Sequence, residues 1–103
     1  MSSIKIRIKR LDAACLLRIL ISHPMETGRR VDKSSGGAVP AHFITDVKIE
    51  HNGQTVASAR FGTAVSRDPY LSVRLRDARS GDRIQVSWAD NQGQSDREEA
   101  WVT

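Results

Sequence analysis

This sequence is poor in the residues that carry chemistry. Its 103 residues include one cysteine, Cys15. A single cysteine makes no internal disulfide and no metal site by itself. Histidine occurs three times, at His23, His42 and His51. No Gly-rich loop follows a strand and opens a helix, so nothing supports a nucleotide site. No stretch is apolar and long enough to span a bilayer. Residues 1–10 alternate Ile with Lys and Arg. They lack the uninterrupted apolar run of a secretory signal peptide, which taken alone places the chain in the cytoplasm.

What remains fits one domain over residues 1–103, with one modest core. A domain this small buries about two thirds of the surface its unfolded chain exposes. It is marginal alone and gains from a partner that covers apolar surface. The net charge is +4, with a pI near 9.8, a balance that raises nucleic acid as a partner. Yet the basic residues are spread along the chain with acids between them. Away from Lys9 and Arg10, only Arg29 and Arg30 form a tight pair. That dispersal reads as solubility and weak steering rather than a nucleic-acid footprint.

The dominant period is two. Ile4, Ile6 and Ile8 alternate with Lys5, Arg7 and Lys9, an amphipathic strand. In the next strand, Leu16 to Ile21, Leu17, Ile19 and Ile21 point one way, and Leu16 and Leu20 the other. A strand apolar on both faces wants cover on both, so Leu16 and Leu20 mark a candidate partner surface. Asn52-Gly53 predicts a type I′ hairpin turn, pairing Ile49 with Val56 and Val47 with Ser58. Leu71, Val73 and Leu75, then Ile84, Val86 and Trp88, form inward rows, and a closing strand carries Trp101. About seven short strands at regular spacing, with no convincing helix, predict an all-β, immunoglobulin-like antiparallel β-sandwich. Between the second and third strands, residues 22–41 hold Pro24, Gly28, Gly36, Gly37 and Pro40. A loop of that length is usually functional or disordered. Residues 33–38 read as its flexible tip.

Catalytic constellations are thin. His42 and His51 lie along one strand, about 30 Å apart by strand rise, too far to share a metal. His23, with Glu26 and Asp32 near it in sequence, reads as a surface or turn histidine rather than a ligand. Cys15 sits among Ala13, Ala14, Leu16 and Leu17. Such apolar surroundings make a thiol inert, so it reads as packing rather than nucleophile. The sequence therefore predicts no cofactor, metal or catalytic group. Trp88 falls in phase with the core, and Trp101, out of phase with Ala100 and Val102, reads as an exposed anchor.

The peptide from Leu20 to Gly28, Leu-Ile-Ser-His-Pro-Met-Glu-Thr-Gly, resembles the hallmark of the SoxZ family. The segment Ala64 to Leu71 is similar to that family's second block. Val39-Pro40, Asn52-Gly53, Ser80-Gly81 and Trp88 to Gly93 follow in the expected order. The resemblance implies a non-catalytic subunit of a heterodimeric sulfur-carrier complex of thiosulfate oxidation. Its partner, a SoxY-type protein, carries sulfur intermediates covalently on a cysteine in a C-terminal Gly-Gly-Cys-Gly-Gly arm. It also implies export to the periplasm together with that partner, and transient contacts with other Sox enzymes. Neither nucleic acid nor membrane is an expected partner. On this reading recognition is carried by His23, Pro24, Met25, Glu26, Thr27, Gly28, Arg29 and Arg30, by Pro69, Tyr70 and Leu71, and by Leu16 and Leu20. Met25 offers an adaptable apolar contact, and the arginines orient an anionic cargo or an acidic enzyme patch.

Overall fold

The computed structural model describes residues 2–103. Seven strands run in chain order: β1 (Ile4–Arg10), β2 (Ala14–Ile21), β3 (Ile44–His51), β4 (Gln54–Arg60), β5 (Tyr70–Arg76), β6 (Arg83–Asp90) and β7 (Ser95–Trp101). They make two antiparallel sheets, ordered β1-β2-β5 and β4-β3-β6-β7. This is the immunoglobulin-like sandwich that the period-two pattern predicts. The described residues contain no helix.

The alternation of each strand sets the core. Leu17, Ile19 and Ile21 of β2 face Ile44, Val47 and Ile49 of β3 and Ile84, Val86 and Trp88 of β6, all buried between the sheets. Each such side chain stabilises the fold by roughly 1.5–3 kcal/mol relative to exposure. The start of β1 is tied across to the second sheet by polar contacts. Trp88 Nε1–H donates to Ser3 Oγ at 2.9 Å, and Ser3 Oγ–H donates to Asp96 Oδ2 at 2.7 Å. At the other end of the sandwich, His51 Nε2 meets Asp82 Oδ2 at 2.7 Å, joining the β3–β4 hairpin to the turn before β6.

The β3–β4 hairpin departs from the expected register. Asn52 and Gly53 take the positive φ of a type I′ turn, 51° and 84°. His51 then pairs with Gln54 and Glu50 with Thr55, but Ile49 pairs with Ala57 and Val47 with Ala59. Val56 is the extra residue of a β-bulge, and its side chain stays exposed. The bulge sets the small side chains of Ala57 and Ala59, rather than those of Val56 and Ser58, opposite the buried Ile49 and Val47.

Candidate functional site

The long loop between β2 and β3 is built rather than loose. Glu26 and His42 exchange backbone hydrogen bonds of 2.7 and 2.9 Å, and Val31 bridges Ala38. The tip is closed by Gly36 N–H to Asp32 O at 2.8 Å and Asp32 N–H to Gly37 O at 2.8 Å. Asp32 Oδ1 also accepts from Ser34 N–H and Ser34 Oγ–H, which keeps its carboxyl below the usual range. Gly28 sits at φ 85°, where a Cβ would stand 3.2 Å from that of Ala41. Glycine is needed there on both counts.

The two sequence blocks dock on one another. His23 N–H donates to Asp68 Oδ1 at 3.0 Å, and Asp68 N–H returns to His23 O at 3.0 Å. Pro69 O accepts from Ile21 N–H at 3.0 Å. Segments 45 residues apart in sequence thus form one surface at the end of β2 and the start of β5.

Beneath that surface lies a polar cluster. His23 is 4% exposed, which corrects its reading as a surface histidine. Its Nδ1 accepts from Met25 N–H at 3.1 Å, so its proton sits on Nε2. That nitrogen donates to Asp90 Oδ2 at 3.0 Å. His42 Nε2 reaches the same oxygen at 2.7 Å, and Gln94 Oε1 at 3.1 Å. Asp90 Oδ1 accepts from the backbone N–H groups of Gln92 and Gln94, at 3.0 and 2.9 Å. Burial pushes the Asp90 carboxyl up. The hydrogen bonds from His23, Gln94, His42 and Gln92 outweigh that and hold it below its ordinary value. The His23 ring also packs edge-on against His42 and Trp88, with centroids 4.6 and 5.1 Å away.

Two histidines and a carboxylate, with donor atoms within 4.8 Å of one another, have the composition of a metal site. The protons argue for a hydrogen-bonded cluster instead. A cation on His23 Nε2 would displace its proton and turn Nδ1 into a donor facing the Met25 N–H. The sequence reading placed Glu26 and Asp32 near His23. His42 and Asp90 are not legible as its neighbours because they lie on other segments of the chain. The Trp88-Ala89-Asp90-Asn91 segment, which closes β6 and opens the turn after it, is the sequence signal for this cluster.

The nominated recognition residues separate by depth. His23, Met25 and Pro69 are buried and shape the loop from below. Met25 is a core residue, and its sulfur accepts from Ile44 N–H at 3.3 Å, so it is not the adaptable surface contact expected. Pro24, Thr27, Arg29 and Arg30 are exposed, with Glu26 and Gly28 half-buried. Arg30 is engaged by Glu26, at 2.8 Å from Nη2 to Oε1 and about as close from Nε. That contact lowers the Glu26 carboxyl. Arg29 makes no ion pair among the described residues.

On the three-stranded sheet, Leu71 is half-buried on the inner side. Leu16, Leu20 and Tyr70 lie on the outer side, with Leu20 39% and Tyr70 59% exposed. Leu20 and Tyr70 are register partners on neighbouring strands. Cys15 is fully buried in the core cluster beside Leu17 and Leu75. Trp101 is 56% exposed on β7, while the next residue, Val102, is buried.

No curated protein matches the chain. The family model described as "Sulphur oxidation protein SoxZ" matches residues 4–101. That match spans all seven strands, the docked blocks and the Asp90 cluster, and the chain belongs to the SoxZ family of sulphur oxidation proteins.

Proposed function

We propose that this chain is the non-catalytic subunit of a sulfur-carrier heterodimer. It holds a SoxY-type partner whose C-terminal cysteine carries the covalent sulfur intermediates of thiosulfate oxidation, and it works in the periplasm after export with that partner. The observation that carries this reading, beside family membership, is the burial of Cys15. A carrier thiol must reach a sulfur donor, and a fully buried cysteine in an apolar core does not. The exposed apolar residues on the outer side of the three-stranded sheet supply surface for a partner to cover. The loop carrying Pro24, Thr27 and Arg29 offers a second, polar surface for transient contacts with other Sox enzymes.

Native mass spectrometry of the chain co-expressed with a protein ending in a Gly-Gly-Cys-Gly-Gly arm tests the proposal. A one-to-one complex with sulfur adducts on the partner alone is the expected result. Adducts on Cys15, or a chain that never associates, would sink it.

A further inference from the structure

The basic residues that look scattered in sequence converge in the fold. Strands β1, β2 and β5 pair so that their outward side chains line up in rows: Lys5, Leu20 and Tyr70; Arg7, Arg18 and Ser72; Lys9, Leu16 and Arg74. Arg76 stands opposite Ala14 at one end. The outer face of the sheet therefore carries Lys5, Arg7, Lys9, Arg18, Arg74 and Arg76, all exposed. These are six of the chain's 16 Lys and Arg, leaving ten to set against its 12 Asp and Glu.

No acid lies within the face. Asp12 and Asp77 flank one end, and neither forms an ion pair with these cations among the described residues. The other sheet contrasts with it. Lys48 has Glu50, Arg60 has Asp46 and Arg83 has Glu99, at 3.6–3.7 Å. On the three-stranded sheet Arg7 and Arg18 are direct cross-strand partners, a like-charge juxtaposition that destabilises an isolated sheet. An arrangement that costs the free chain stability marks a surface made for something else.

We infer that this face docks an acidic patch flanked by apolar side chains on the partner protein. The inference rests on the partner-holding function proposed above and names the surface and the chemistry that meets it. The charge calls for acidic groups. The exposed Leu20 and Tyr70 on one side of the Arg7–Arg18 row, and the half-buried Leu16 on the other, call for apolar contacts beside the charge, which a phosphate backbone does not offer. A second copy of the chain is a poor occupant, because its own face repels this one and the exposed charges of its other sheet include paired ones.

The test measures affinity for the SoxY-type partner across roughly 50 to 500 mM salt, a range that shortens the screening length several-fold. It compares the natural chain with Arg7→Glu/Arg18→Glu and with the charge-matched Lys48→Glu/Arg97→Glu on the opposite sheet. Circular dichroism and melting confirm that each variant is folded. If a glutamate pair fails to fold, Arg7→Gln/Arg18→Gln replaces it, since that change only removes a repulsion. The expected result is affinity falling with salt, weakened about tenfold or more by the Arg7/Arg18 change and little moved by the Lys48/Arg97 change. A complex as tight with the Arg7/Arg18 variant overturns the docking surface and leaves the proposed function standing. Equal weakening by both variants reduces the effect to net charge and overturns it too. No complex with the natural chain removes the proposed function, and this inference with it. Tighter binding to duplex DNA or to anionic vesicles, lost in the same variant, assigns the face to a polyanion instead.

Discussion

The backbone N–H of Met25 donates to Nδ1 of His23 at 3.1 Å, and this contact sets where the proton of the buried imidazole lies. With Nδ1 accepting, Nε2 must donate, and Asp90 is its acceptor. Asp90 in turn receives two imidazoles on Oδ2 and two backbone amides on Oδ1. One carboxylate thereby joins the loop after β2, the approach to β3 and the β6–β7 turn.

Only two acceptor oxygens satisfy that set of donors. Asp90→Ala leaves the His23 Nε2–H buried without an acceptor and frees the β6–β7 turn, at a cost of about 3 kcal/mol. Asp90→Asn is expected to be nearly as damaging, because its NH2 group must face either the imidazoles or the amides. Urea unfolding of the two variants checks this. A loss below about 1 kcal/mol in both would show that the cluster does not hold the loop.

How much of this was legible in the sequence depends on the range of the interaction. Strand positions follow from alternation, which is local, and all seven strands fall where it places them. The β3–β4 register does not, because the bulge at Val56 arises from which side chains fit over Ile49 and Val47, and the Asn-Gly turn carries no trace of it. His23 reads as a loop histidine because the partners that bury it, Asp90 of β6 and His42 on the approach to β3, lie 67 and 19 residues away. The cationic face is hidden for the same reason. Lys5 and Arg7, Arg18, and Arg74 belong to three separated segments, and strand pairing alone makes them neighbours.

Asp82 predicts part of the acid response. Hydrogen bonds from the Arg79 backbone, His51 and Asn52 lower its carboxyl from 3.8 to about 2. A carboxyl depressed by folding stabilises the fold in full above its unfolded value of about 3.9. That contribution is lost as pH falls toward 2. Melting temperature should therefore drop between about pH 4 and pH 2. Asp82→Asn should melt lower at neutral pH and show a shallower fall, with Asp90 and Asp96 supplying the rest, since both are also lowered. Parallel melting curves for the variant and the natural chain throughout that range would contradict the assignment.

Gly28 supplies a third prediction. Its φ of 85° and the nearness of Ala41 mean that Gly28→Ala pays both a backbone and a steric penalty, about 1–2 kcal/mol together. Because the strain falls in the loop, amide exchange across residues 22–42 should rise more than exchange in β2 or β6. Uniform acceleration over all strands would instead mean that the glycine supports the whole fold.

The burial of Cys15 makes its reactivity a measure of unfolding. Iodoacetamide should label the native chain at least about a hundredfold more slowly than the urea-unfolded chain, as read by intact mass. Comparable rates would mean that the thiol is reachable and would contradict the reading of Cys15 as inert packing.

The last prediction separates two exposed aromatic residues by the sheet they stand on. Trp101 belongs to β7, on the outer side of the four-stranded sheet, beside Arg97 and Glu99. Tyr70 belongs to β5, next to Leu20 on the cationic face. Each is more than half exposed, so Trp101→Ala and Tyr70→Ala should both change the stability of the free chain by less than about 0.5 kcal/mol. Their effects on the complex should differ. A tyrosine that becomes buried beside a leucine at a protein interface contributes about 1 kcal/mol or more, so Tyr70→Ala should weaken the partner roughly fivefold or more. Trp101→Ala should leave the affinity within about twofold. The reverse order would move the docking surface to the opposite sheet.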